Sequence, residues 1–216
     1  LIFISKDTPT NSLNTSNTIS IKKLIRKVTN NITKKSSLII LSQVPPGFTR
    51  RVNWNKKKLY YQVETLIFGQ AIKRALKPER FIVGSNNSKD ILFFKFKKFL
   101  DSFKCPILIM KYESAELSKI SINCYLASSV SITNTLVEIS SKLNADWNEI
   151  VPTLQLDRRI GKYAYLKPGL GISGGNIERD LATIKEIGKS KITNIDLIKT
   201  IINLSKYSKD WLFKKV

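Results

Sequence analysis

The stretch of sequence that decides the fold is residues 36–47, which read SSLIILSQVPPG. Their run of Leu and Ile has no polar alternation, which is typical of a strand covered on both faces of a parallel sheet. The Pro-Pro-Gly triplet that follows predicts a rigid loop after the strand. Other apolar runs of strand length share this character, and helical patterns separate them. The predicted strands are 1–5, 37–42, 80–84 and 106–110, and the predicted helices are 17–34, 62–77 and 89–103.

Strands that alternate with helices predict βαβ units in a mostly parallel sheet, which is an α/β fold. The strand patterns stop after residue 112, and residues 114–143 have the apolar spacing of one long helix. We therefore expect two domains, an α/β domain over 1–112 and an α-helical domain over 113–216. Further helices are predicted at 146–155, 178–189 and 194–206.

The charge of the chain is strongly basic. Its 216 residues include 37 Lys and Arg against 16 Asp and Glu, a formal net charge of +21. Such a charge suits a protein that binds a phosphate backbone, although the Lys-rich composition that an AT-rich genome encodes is an alternative source of it. The densest patch, residues 50–58, surrounds Trp54 and could stack on and neutralise a nucleic acid; a solvated loop with Trp54 packed down is the alternative. Nucleic-acid binding therefore stays a remote alternative.

The cysteine and histidine content excludes several classes of site. There are two Cys and no His, so a Cys/His zinc site, a Ser-His-Asp triad and a Cys-His pair are excluded, and no metal site is predicted. Two Cys in a chain of this length indicate a reducing compartment, the cytoplasm. No apolar run reaches the length of a membrane span. Residues 1–5 resemble a strand and not a signal peptide, so we expect the chain to begin inside a domain.

Two kinds of loop are candidate ligand sites. In open α/β sheets, ligands lie beyond the carboxyl ends of the strands, which here are followed by the loops 7–10 and 43–47. Residues 169–174 match G-x-G-x-x-G, but Lys167-Pro168 precedes them where a dinucleotide loop needs a strand. This segment instead leads into a helix near Asn176, and a helix start can bind an anion or a sugar.

Five segments, taken together and in order, resemble motifs of the UDP-glucose/GDP-mannose dehydrogenase family. They are Thr8-Pro9-Thr10 (the family's T-P loop), Ser42–Arg51 (S-T-V-P-P-G-T-T-R), Ser114–Asn123 (S-A-E-L-x-K-x-x-x-N), Leu156–Gly161 (L-D-x-R-I-G), and Pro168–Asp180 (P-G-x-G-x-G-G-S-C-F-P-K-D).

The resemblance implies a fold, partners and ligands. Residues 1–112 would be the C-terminal part of a Rossmann-like NAD-binding domain, and residues 113–216 a central helical domain whose long helix 114–143 forms a homodimer. Family members extend further on both sides, so the chain resembles a middle fragment. The implied cofactor is NAD and the implied substrate a nucleotide sugar. The residues expected to bind NAD are Thr8, Pro9, Ser42, Gln43 and Glu64, and those expected to bind the substrate are Tyr165, Gly169, Gly171 and Gly174.

The resemblance also implies catalytic residues. The family oxidises a sugar alcohol twice, through a cysteine thioester. Lys119 and Asn123 keep the pair that holds the developing oxyanion, one helical turn apart. Asp180 keeps the residue that orients water.

Two positions depart from the family pattern. The catalytic Cys falls on Asn176, and in N-P-E-F-L-R-E-G, aligned with residues 62–69, Glu64 keeps the first glutamate while Phe68 replaces the second. Without a thiolate there is no thioester, so we expect a single two-electron oxidation, or its reversible form in an epimerase. Cys124 is expected to be a buried core residue and no substitute. A non-catalytic binding or assembly protein on the same scaffold is the alternative.

Overall fold

A computed structural model describes residues 1–9, 17–67, 69–172 and 175–215, with side chains up to residue 210. The chain divides into two compact units, Leu1–Lys119 and Ile120–Val216, whereas the domain boundary expected from the sequence was between residues 112 and 113. In the first unit the elements are β1 Ile2–Ile4, α1 Ile19–Asn31, β2 Leu38–Ile40, β3 Leu59–Gln62, α2 Ala71–Leu76, β4 Phe81–Ser85, α3 Phe94–Asp101 and β5 Ile107–Lys111. Helix α4, Tyr112–Lys142, continues into the second unit, which adds α5 Trp147–Leu156, α6 Gly175–Ser190 and α7 Asp196–Lys215.

The first unit is built on a five-stranded sheet in the order β1-β2-β3-β4-β5. Every neighbouring pair is parallel except β3 and β4, which are antiparallel. The α/β fold class, the mostly parallel sheet and the long central helix are therefore confirmed. All three residues of β2 are fully buried, which explains why its sequence shows no alternation.

The region between β2 and β4 differs from the prediction. A helix was expected over 62–77, but residues 59–62 form strand β3, and among the described residues of that range the α-helix covers Ala71–Leu76. The apolar spacing of this segment is interrupted at Gly69, whose φ of +78° is outside the helical range and is readily adopted by glycine. The four residues of β3 are all buried, so its Leu-Tyr-Tyr-Gln sequence packs as an interior strand.

The core of the first unit lies under β2, β3 and β4. Tyr60 contributes its ring to this core, while its hydroxyl donates to the Lys57 carbonyl and accepts from the Phe93 N–H, both at 2.9 Å. A buried tyrosine hydroxyl needs such partners, so this contact ties β3 to the segment before α3. The buried members of this core are Ile39, Tyr60, Phe81, Val83, Leu92, Phe96 and Leu100.

Gly84 in β4 allows the start of α4 to approach the sheet closely. A Cβ at this position would lie 3.0 Å from Ala115 Cβ and 3.1 Å from Tyr112 Cα. Any larger residue would push the first turn of α4 away from the strand, and with it the motif residues that this helix carries.

The second unit packs helices around the remaining length of α4. Helix α4 ends in a Schellman motif, in which Asn144 has a φ of +54° and the Ala145 N–H donates to the Ser140 carbonyl at 2.9 Å. Trp147 at the start of α5 donates from its indole nitrogen to the Leu166 carbonyl at 2.8 Å. Ala127, Ile172, Leu181 and Ile201 form the buried core of this unit. None of the described helices is long and apolar enough to cross a membrane.

Candidate functional site

The loops after β1 and β2 meet at the carboxyl edge of the sheet. Thr8 is buried, and its hydroxyl donates to the Gln43 carbonyl at 2.5 Å. The Ser42 hydroxyl donates to the Lys6 carbonyl at 2.6 Å. Two of the predicted cofactor loops are therefore joined directly. Pro9 follows at the surface, and Thr10 lies outside the described residues.

A buried carboxylate closes the Pro-Pro-Gly loop. Glu116 on α4 accepts from the N–H of Gly47 at 2.5 Å and from the N–H of Thr49 at 2.7 Å. Its side chain is fully buried, and this burial raises its pKa, an effect that the hydrogen bonds from Thr49 and Gly47 oppose. Glu116 thus links two of the five motifs, a role that was not predicted. The sequence did contain a signal for this role. Glu116 lies four residues after Tyr112 and four before Ile120, so the spacing places its carboxylate on the buried face of the helix, where it needs hydrogen-bond donors.

The loop after β3 brings a second carboxylate near a predicted catalytic lysine. Glu64 is half-buried, and burial raises its pKa, while the Thr65 N–H at 3.2 Å and the positive charge of Lys119 oppose that rise. The first unit therefore brings Glu64 and Lys119 into one electrostatic neighbourhood. Phe68, aligned with the family's second glutamate, lies outside the described residues.

The edge formed by these loops suits only part of a dinucleotide. The N–H groups of Gly47 and Thr49 bond to Glu116, and that of Phe48 donates to the Pro45 carbonyl at 3.1 Å. They are therefore engaged within the unit and cannot hold a diphosphate as a Gly-rich loop does. The hydroxyls of Thr8 and Ser42 also donate within the unit, so this edge presents an uncharged surface, which the nicotinamide–ribose end of NAD would need and its diphosphate would not.

In the second unit, two predicted catalytic residues are in direct contact. Asn123 on α4 donates from Nδ2 to Oδ2 of Asp180 on α6 at 2.6 Å, and both side chains are buried. Cys124, next in sequence, packs against the adjoining apolar core. Burial and the negative charge of Asp180 raise its pKa to about 11, so Cys124 is a neutral thiol at physiological pH.

Asn176, at the position of the family's cysteine, is an exposed residue in the first turn of α6. Its Oδ1 accepts from Nη2 of Arg179 at 2.7 Å, and Arg179 itself is buried. An amide held in this way is a hydrogen-bonding group with no nucleophilic atom.

The glycine-rich segment is anchored on both sides. Asn134 on α4 donates to the Gly169 carbonyl at 2.8 Å and accepts from its N–H at 3.0 Å. Gly171 has a φ of +85°, and a Cβ there would lie 2.6 Å from the carbonyl oxygen of Ser205 on α7. The Tyr165 carbonyl accepts from the Thr133 hydroxyl at 2.8 Å. The described part of this segment, up to residue 172, is thus anchored to α4 and α7, and the contribution of Asn134 was not predicted. Gly174 lies outside the described residues.

Comparison with known proteins shows which proteins the chain is similar to. Residues 113–207 match the sequence profile of the UDP-glucose/GDP-mannose dehydrogenase family, central domain. The chain is 27% identical to the UDP-glucose 6-dehydrogenase of Rickettsia bellii, covering 100% of this chain and 51% of that protein. It is 31% identical to the UDP-glucose 6-dehydrogenase of Campylobacter jejuni, covering 95% of this chain and 53% of the relative. The chain therefore spans about half the length of these curated relatives.

Solved structures agree in fold. The UDP-glucose dehydrogenase of the archaeon Pyrobaculum islandicum matches with a TM-score of 0.80 at 25% identity, over 95% of this chain and 50% of that one. The UDP-D-ManNAc dehydrogenase of Pyrococcus horikoshii matches in fold with a TM-score of 0.79 at 19% identity, over 95% and 50%. Residues 113–207 match the central-domain profile, the five motifs occur in order and the fold is shared, so the chain is similar to members of the UDP-glucose/GDP-mannose dehydrogenase family over about half of their length.

Proposed function

We propose that this protein is an NAD-dependent oxidoreductase that oxidises one alcohol group of a nucleotide sugar in a single two-electron step. The observation that carries the proposal is the buried contact of Asn123 with Asp180, beside a helix start that bears Asn176 in place of a cysteine. The polar residues that act on the alcohol group in the family, Asn123 and Asp180, are kept. The cysteine nucleophile that the second oxidation requires is missing.

The Asn123 amide is the group we assign to the substrate oxygen. Nδ2 carries two hydrogens, and one of them is bonded to Asp180, which fixes the orientation of the amide. The second can donate to an oxygen on which negative charge develops. Lys119 lies one turn earlier on α4 and serves either as the base for the hydroxyl proton or as a positive partner of the same oxygen.

The step balances as the loss of one hydroxyl proton and one hydride from the carbinol carbon, giving a carbonyl. NAD, when bound, supplies the hydride acceptor. We assign Thr8, Pro9, Ser42 and Gln43 to the binding of the uncharged nicotinamide–ribose end of NAD. Glu64, in the loop after β3, is assigned to the same cofactor. We assign the nucleotide-sugar substrate to the Gly-rich segment. The residues that we expect to contact it are Tyr165, Gly169, Gly171 and Gly174.

Asn176 explains why the reaction stops after one oxidation. The family's second oxidation needs a thiohemiacetal, formed when a thiolate adds to the aldehyde. The Asn176 amide cannot add to an aldehyde in this way, and the Cys124 thiol is held neutral by its surroundings. We therefore expect the carbonyl product to be released.

The test is the amount of NADH formed per sugar consumed by the full-length protein, with UDP-glucose as the first substrate. We expect a ratio near one, and a ratio near two would overturn the single-step proposal. Asp180→Asn should lower kcat at least tenfold. Asp196→Asn is the matched control, because Asp196 is an exposed residue that pairs with exposed Lys199, and it should leave kcat unchanged. A full-length protein that binds neither NAD nor UDP-glucose in calorimetry would instead support the non-catalytic assembly alternative.

We also propose that the protein forms a homodimer through α4. Exposed apolar side chains follow each other on this helix at spacings of 7, 4, 3 and 4 residues, which form one continuous stripe. Such a stripe is costly in water and suits a second copy of the same helix. The residues of the stripe are Tyr125, Ile132, Leu136, Ile139 and Leu143.

The dimer is tested by sedimentation of the full-length protein. We expect the wild-type protein to be a dimer and Leu136→Lys with Ile139→Lys to be a monomer. Leu156→Lys, which changes an exposed leucine outside the stripe, should leave the dimer intact. A monomeric wild-type protein would refute the proposal.

From the cysteine content we place the protein in the cytoplasm.

A further inference from the structure

The basic patch around Trp54 separates into two groups of side chains in the structure. Arg50 pairs with Glu113, and Lys56 donates to the carbonyls of Arg50 and Val52 at 2.6 and 2.7 Å, so these two cations stabilise the local fold. Arg51 points instead into a groove of about 840 Å³ between α1 and the segment 48–55. This groove is separate from the loops assigned to the cofactor, because none of those residues lines it.

The charge of this groove has no counterion in the described part of the chain. Lys22, Arg26, Lys34 and Arg51 line it, all are exposed, and none forms an ion pair with a described residue. No acidic residue occurs anywhere between positions 8 and 63 of the sequence. Four like charges around one cavity repel each other, and an anionic ligand would relieve that repulsion.

The floor and one wall of the groove are apolar and aromatic. Ile25, Phe48 and Val52 are buried beneath it. Trp54 is half-buried, and its indole nitrogen donates to the Ser36 carbonyl at 3.2 Å, which holds the ring in place. A ring fixed in this way offers a stacking surface for a planar ligand.

We propose that this groove binds a nucleoside phosphate, with its base against Trp54 and its phosphates among Arg26, Arg51 and the neighbouring lysines. An inorganic anion would pair with the basic side chains but would make no contact with the indole ring or the apolar floor. The volume is within the range of sites for one small ligand. The exposed amides of Asn30 and Asn53 also line the groove and can donate to and accept from the edge of a base.

Calorimetric titration of the full chain with ADP tests the proposal. We expect saturable binding that weakens with salt. Trp54→Leu should weaken it about tenfold through lost stacking, and Trp54→Phe should retain most of the affinity. Arg51→Gln should also weaken it about tenfold. Arg158→Gln, which removes the same charge from an exposed position in the second unit, is the control and should have no effect.

Three other outcomes of these titrations would overturn the proposal. Equal affinity for ADP and pyrophosphate, with no effect of Trp54→Leu, would show an anion patch without base recognition. If an oligothymidylate of eight nucleotides binds much more tightly than ADP does, the groove is a surface for single-stranded nucleic acid. ADP binding that is unchanged in both Trp54→Leu and Arg51→Gln would place the ligand elsewhere on the chain. A thermal melt of Trp54→Leu confirms that the variant is folded, and unfolding would leave Arg51→Gln as the deciding variant.

Discussion

Replacing Glu116 with alanine should destabilise the first unit by about 4 kcal/mol. The carboxylate accepts two backbone N–H groups, those of Gly47 and Thr49, and is itself fully buried. Its removal leaves the buried Thr49 N–H and the half-buried Gly47 N–H without this acceptor, at about 1–3 kcal/mol each, so the expected range is roughly 2–6 kcal/mol, with Gly47 at the lower end of its share. Glu113→Ala is the matched control. Its partner Arg50 is about 40% exposed, and such pairs contribute less than about 1 kcal/mol.

Urea unfolding at pH 7, followed by circular dichroism, measures the difference in unfolding free energy. Native-state hydrogen exchange adds a local measurement, because the Gly47 and Thr49 amides should lose protection in Glu116→Ala and keep it in Glu113→Ala. The reasoning is refuted if the two variants lose equally little stability, or if both amides stay protected without the carboxylate.

The same residue makes stability depend on pH. Burial raises the pKa of Glu116, so the folded chain keeps this proton to a higher pH than the unfolded chain does. The part of the unfolding free energy that is linked to this proton is complete below the unfolded pKa of about 4.3 and decreases as pH rises through the folded pKa, while the hydrogen bonds from Gly47 and Thr49 remain. The difference in stability between wild type and Glu116→Gln should therefore change over that window, and a constant difference would contradict this assignment.

Three further outcomes are expected. Gly188→Ala should lower the unfolding free energy by about 1–2 kcal/mol, because its Cβ would lie 2.2 Å from Ile195 Cγ2, and a thermal melt measures this. Ile192→Gly should raise it by about 1 kcal/mol, since Ile192 has a φ of +55° and is 96% exposed; an unchanged melting temperature would contradict this. In a Cys105→Ser variant, alkylation of Cys124 at pH 8 should be about a hundredfold slower than that of a free thiol, as its pKa of about 11 requires.

Local sequence patterns were sufficient for most of the fold. Strands β1, β2, β4 and β5 are apolar runs bounded by polar or turn residues, and α4 has a long regular apolar spacing, so each could be located from the sequence. Burial on both faces was expected for all four strands, but it holds for β2 and β4, whereas β1 and β5 are partly exposed. Strand β3 was missed because four buried residues next to a helical spacing carry no periodicity of their own. Its antiparallel pairing with β4 could not be predicted, since an interior apolar strand has the same pattern in either direction.

The candidate site was predictable only as a set of residue types. The sequence alone determined the order of the motifs, the loss of the cysteine at Asn176 and the excess of basic over acidic residues before position 64. The tertiary structure decided that Asn123 bonds to Asp180, that Glu116 closes the loop at Gly47, and that Arg51 faces a groove while Arg50 does not. These contacts join residues up to 69 positions apart, and their formation depends on how the elements pack, which local periodicity does not encode.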